Sequence, residues 1–203
     1  MRATGAVLAL LLATGTAPSA AEASSTTLVV RLYNTAAVSA ENMHAAREAA
    51  RSILDDTGLR VDFRSCGLTS SPSVAADACD EPLRASEVVV RIIAAPAFNT
   101  ALHPEAYGVT YVVRETNRGW LATVFSNRIG TAAARTGVDP GVLLGRVIAH
   151  EVGHLLLGCG YHGGTGVMRA EWTDAELMRA NPEWRFSRGE AARMNLVIDT
   201  RPF

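Results

Sequence analysis

Asp139-Pro140-Gly141-Val142-Leu143-Leu144-Gly145-Arg146-Val147-Ile148-Ala149-His150-Glu151-Val152-Gly153-His154-Leu155-Leu156-Leu157-Gly158 is the stretch whose reading decides the fold. Asp139 can cap a helix, and Pro140 suits the first helical position, where the N–H that proline lacks would go unpaired anyway. Apolar residues then run on to a terminal glycine, so the segment reads as a helix of about five turns. His150 and His154 are four residues apart on it and project from one face, the spacing at which two imidazoles share one metal ion. Glu151 follows the first histidine and reaches over the open side of such an ion. Bound zinc lowers the pKa of its water to about 7, and a neighbouring carboxylate can take the released proton and later hand it to a leaving amine. The expectation is a zinc site with Glu151 as general base. Without such a role, two imidazoles and a carboxylate on an otherwise apolar helix would each need another partner.

Upstream of this helix the chain reads as strand, helix and several strands. Thr26–Tyr33 is rich in β-branched residues, and Ser39 caps a helix with Met43, Ala46, Ala50, Ile53 and Leu54 at helical spacing. Leu59–Phe63 alternates apolar and polar residues, and Glu87–Ala94 is so nearly apolar throughout that it reads as a central strand. Tyr107–Arg114 and Trp120–Phe125 complete the set. This order predicts one α+β domain: a mixed sheet with an antiparallel edge, an active-site helix, a backing helix, and the helices on one side.

The run from His150-Glu151-Val152-Gly153-His154 through Gly158, Gly160 and His162 to Gly166-Val167-Met168 resembles the zincin metallopeptidases, most of all their metzincin branch. The resemblance implies a zincin-like fold that hydrolyses peptide bonds. Gly158 or Gly160 would end the helix, His162 would be the third ligand, and Met168 would sit in a turn under the metal. It also implies that the strand around Ala106–Arg114 binds an extended peptide substrate by edge pairing. One departure stands out: the family's third histidine comes six residues after the second, whereas His162 comes eight after His154. Glycines at 158, 160, 163, 164 and 166 allow the longer loop to turn back under the helix end.

In the other zincin branch the third ligand is a carboxylate further on, and Asp174, Glu176 and Glu171 lie in that range. Thr173-Asp174-Ala175-Glu176 reads equally as a capping box, which would turn Glu176 toward the backbone, and Ser187 with Glu190 reads as another. Tyr161 and Arg169 are further candidates to stabilise an oxyanion. His44 and His103 have no partner at ligand spacing and read as ordinary histidines.

The rest of the chain bounds the function. Residues 1–23 read as a signal peptide, a short apolar run ending in small residues, with cleavage after Ala23 or alternatively after Ala20 or Ala21. Residues 24–203 then form the domain, secreted or periplasmic and monomeric. No later segment is apolar over the roughly 20 residues a membrane span needs. Lys plus Arg number 19 against 20 Asp plus Glu, which argues against a general nucleic-acid surface. Of three cysteines, Cys66 and Cys79 are expected to form a disulfide, and Cys159 is left beside the metal site as a small buried side chain. Two rival readings keep the zinc and drop the chemistry: a binding or scaffold protein, or a site closed by Cys159 as fourth ligand.

Overall fold

The computed structural model describes residues 27–67, 79–94, 106–113, 115–116, 118–158, 160–180 and 183–200. In chain order the elements are β1 (Thr27–Asn34), α1 (Ala40–Asp55), β2 (Arg60–Cys66), β3 (Glu87–Ile93), β4 (Gly108–Val113) and β5 (Arg118–Phe125). These are followed by α2 (Ser126–Thr136), α3 (Pro140–Leu157), the single turn α4 (Asp174–Leu177) and α5 (Arg188–Thr200). The five strands form one sheet in the order β2-β1-β3-β5-β4. Four of them are parallel, and β4 runs antiparallel to β5 at one edge. The α+β reading holds, with the antiparallel edge confined to β4 and β3 at the centre. No helix among the described residues is long and apolar enough to cross a membrane.

Alternation along the strands sorts the sheet into two faces. Leu28, Val30 and Leu32 of β1, Val88, Val90 and Ile92 of β3, and Ala122 and Val124 of β5 are buried in the core together with α1 and α3. The two helices approach closely because small residues meet between them. A Cβ on Gly145 would lie 2.5 Å from the Ala46 carbonyl oxygen and 2.7 Å from the Ala49 Cβ. This contact sets α3 deep in the domain, with nearly every residue from Leu143 to Leu157 buried.

The other face of β1 and β3 carries a buried ion pair. Arg31 meets the Glu87 carboxylate, and each side chain is only 3% exposed. Arg64 adds a second contact to Glu87 at 3.2 Å, and the Arg84 N–H donates to it at 3.1 Å. Arg31 also donates to the carbonyls of Cys79 and Glu81, fastening the segment after the Cys66–Cys79 disulfide onto the sheet. Burial alone would raise the Glu87 pKa, but the Arg84 N–H and the Arg31 guanidinium outweigh it and hold the carboxyl below its ordinary value.

Glu87→Gln should therefore destabilise the fold by about 3–5 kcal/mol, because it leaves the Arg31 charge buried without its counter-charge. A pKa lower in the folded state gives stability that is complete above the unfolded glutamate value and is lost as pH falls through the folded one. Urea midpoints measured down the acid range should fall more steeply for wild type than for Glu87→Gln, and parallel slopes would contradict this.

Candidate metal centre

The Asp139 side chain accepts from the Val142 N–H at 2.8 Å and starts α3 in the register that faces His150 and His154 inward. Both rings are buried, and the chain beyond the helix brings His162 to them. One ligand atom from each of His150, His154 and His162 falls within a 4.8 Å cluster. The Nε2 atoms of His150 and His154 are 3.0 Å apart. His150 Nδ1 lies 2.7 Å from the Val167 carbonyl oxygen, so Nδ1 is the protonated nitrogen and Nε2 turns its lone pair toward the cluster.

Burial drives the His150 pKa down to about 4, with the His162 charge adding to the shift and the Val167 carbonyl opposing it. It drives His154 to about 3, helped by His150 and His162 and opposed by the Gly158 backbone. His162 is also lowered by burial. All three are neutral at pH 7, the form that binds metal.

A shared cation fits this donor set. His154 Nδ1 is buried and makes no hydrogen bond of normal geometry among the described residues. Three neutral imidazole nitrogens with room for a further ligand suit zinc.

Below the cluster the Gly163 N–H donates to the Met168 carbonyl at 2.7 Å, and the Val167 N–H donates to the Arg185 carbonyl at 3.1 Å. This pinned turn fixes the carbonyl that orients His150. Met168 is fully buried against α3 at Gly153, where a Cβ would overlap the Met168 sulfur and come within 2.8 Å of Phe186 Cε1.

Glycine to alanine inside a helix ordinarily stabilises by about 0.5–1 kcal/mol. Gly153→Ala should reverse that sign and cost about 1–3 kcal/mol, because the added methyl has no space. Thermal unfolding decides the matter, and a raised midpoint would contradict the packing described.

Glu151 is buried beside the cluster. Its Oε2 accepts from the Thr110 hydroxyl at 2.6 Å, and a Cβ on Gly108 would stand 2.5 Å from Oε1. Edge strand β4 therefore holds the carboxylate in a slot that only glycine leaves open. Burial pushes the Glu151 pKa up to about 7, against the opposing Thr110 hydrogen bond, which suits proton transfer in both directions near neutrality.

Two of the three acidic candidates are engaged elsewhere. Asp174 is held by Arg135 at 2.8–3.0 Å. Glu176 closes the capping box with Thr173 and pairs with Arg169 at 3.0 Å. Glu171 lines the cleft and is exposed. The Ser187–Glu190 capping contacts also form.

Tyr161 has its ring under Arg193 at 4.8 Å and its side chain against Glu190. Arg169 lines the cleft with its charge already matched by Glu176. His44 is an exposed residue of α1. Residues 1–23, His103 and Cys159 lie outside the described residues.

A cleft of about 590 Å³ runs over the cluster, bordered by residues 106–110 leading into and along β4 and by residues 169–172. Arg135, Val147 and Trp172 escaped the sequence reading, and Tyr107, Gly108 and Thr110 were not singled out within the strand it assigned to substrate binding. Gly108 carried a signal, since glycine inside a strand often marks a close approach by another group.

No protein-family model matches the chain, and no curated protein matches it either. Among solved structures it is similar to archaemetzincin from Methanopyrus kandleri, with a TM-score of 0.54 and 15% sequence identity over 85% of this chain and 96% of that one. The likeness shows that this chain has the fold of archaemetzincin.

Proposed function

We propose that this protein is a secreted zinc metallopeptidase in which His150, His154 and His162 hold the metal and Glu151 is the general base. The convergence of three neutral imidazoles beside a buried carboxylate carries this reading. The fold shared with archaemetzincin supports it, as does the metzincin-like sequence around the same histidines. Export of residues 24–203 after removal of residues 1–23 is supported by the Cys66–Cys79 disulfide, a bond that persists in oxidising compartments.

When bound, zinc would polarise a substrate carbonyl and acidify a water at the open coordination position. The chain's own groups do the rest. The Val167 carbonyl fixes the His150 tautomer, as groups behind a metal ligand commonly do. Thr110 and Gly108 hold the Glu151 carboxylate toward the cleft, ready to take a proton at Oε1 or Oε2 and return it to the leaving amine. β4 is an edge strand, so its free side can pair with an extended peptide and lay the scissile bond across the cluster. Met168 gives the site a fixed apolar floor rather than a ligand.

The test is hydrolysis of a mixed peptide library by the mature protein, before and after chelation. Cleavage that chelation stops and stoichiometric zinc restores is expected. A protein that takes up zinc and cleaves nothing would instead be a binding protein.

A further inference from the structure

Of the three histidines, His162 is the least secured by its own side chain. His150 has the Val167 carbonyl behind it and His154 is buried on α3, whereas the His162 ring is exposed and makes no hydrogen bond among the described residues. It sits on a connection two residues longer than the family spacing. Its place is therefore set by whatever holds the residues on either side of it.

Helix α5 holds both ends of that connection. Arg193 donates to the carbonyl of Leu157, the last residue of α3, at 3.1 Å, and its guanidinium lies over the Tyr161 ring at 4.8 Å. A cation suits both partners, because a helix C-terminus and an aromatic face are each electronegative. Nearly one turn earlier on α5, Glu190 is only 3% exposed. Its Oε2 accepts from the Ser187 N–H at 2.6 Å, and the Tyr161 hydroxyl lies within hydrogen-bonding reach of the carboxylate. Its Oε1 packs so close to Gly163 that a Cβ there would stand 2.7 Å away. Both residues flanking His162 thus rest on one buried carboxylate, while the Met168 carbonyl fixes the Gly163 N–H at 2.7 Å.

We infer that Glu190, supported by Arg193, is a positioning residue for the third metal ligand, holding Tyr161 and Gly163 so that the His162 imidazole meets His150 and His154. This role rests on the metal centre proposed above. Groups that orient a metal ligand commonly contribute about 10–100-fold to metal affinity. Glu190→Ala should lower zinc affinity by such a factor. Ser187→Ala removes the hydroxyl that accepts from the Glu190 N–H at 3.3 Å but leaves the carboxylate in place, so it should bind zinc as wild type does.

Two measurements on the full mature protein test it. The first is zinc affinity by chelator competition, for wild type, Glu190→Ala and Ser187→Ala, each with and without His162→Ala. The loss in Glu190→Ala should vanish in the His162→Ala background, because a residue that acts through His162 then has nothing to position. Tyr161→Phe keeps both the cap and the ring under Arg193, and it serves, with a loss in the same direction, if Glu190→Ala does not fold. Wild-type affinity in a folded Glu190→Ala, an equal loss in Ser187→Ala, or the same loss with and without His162 overturns the proposal.

The second needs no metal. The His154 and His162 rings have centroids 4.8 Å apart, so wild type and Ser187→Ala should show a nuclear Overhauser cross-peak between their ring protons, assigned by its loss in His162→Ala. Glu190→Ala, or Tyr161→Phe in its place, should lose that cross-peak. Its persistence would overturn the proposal. Its loss there, in a protein whose wild type takes up no zinc, would uphold the positioning role and defeat the metal reading alone.

Discussion

Glu151→Gln should lower peptide turnover by about 10²–10⁴-fold, the usual contribution of a positioned general acid–base, while zinc content stays at the wild-type value. Glutamine fills the same slot against Gly108 and can still accept from the Thr110 hydroxyl, so the local packing is kept. What it cannot do is take a proton from water and deliver it to the leaving amine. The His150, His154 and His162 nitrogens are untouched, which is why metal binding and activity should part company. Full activity in this variant would remove Glu151 from the chemistry. Loss of zinc together with activity would mean that the carboxylate serves the metal rather than the reaction.

The second large effect concerns the ligands. His154→Ala should weaken zinc binding by more than the 10–100-fold typical of groups behind the ligands, and hydrolysis should disappear with the metal. A stability measurement separates this from simple misfolding. Zinc at 100 times its Kd stabilises a folded protein by about 2.7 kcal/mol, provided that the unfolded chain does not bind it. Wild type should show that rise in unfolding midpoint on adding zinc. The variant should still unfold cooperatively without zinc and show no such rise, because it keeps only two of the three imidazole nitrogens. A zinc response equal to that of wild type would show that His154 is not a ligand.

Much of this was legible in the sequence where local chemistry decides the structure. The cap at Asp139 and the spacing of His150 and His154 fix the helix and the common facing of its two histidines, and both hold. The apolar run of β3 marked the central strand, which is where it lies. The capping boxes at Thr173 and Ser187 depend on neighbours three residues apart and are equally local.

Relations between distant segments were hidden. α2 went unseen because its sequence is polar and carries Gly130, although Ile129, Ala132 and Ala133 line one helical face and Gly137 ends it in the left-handed region. Alternation tells which residues of a strand face inward but not which strand lies beside it, so the parallel pairing of β1 with β2 and β3 could not be read. Thr110 and Glu151 are 41 residues apart, and only the fold brings the hydroxyl to the carboxylate. Arg135 and Asp174, 39 apart, meet for the same reason, and their pairing removes Asp174 as a free candidate ligand.

Metal analysis of the mature protein beside His162→Ala is the most direct test of the central claim, that three histidines hold one catalytic zinc. One zinc per wild-type chain, with loss of most of it in a His162→Ala protein that remains folded, is the predicted result. Wild type without bound zinc, or His162→Ala retaining it at wild-type affinity, would contradict the three-histidine centre.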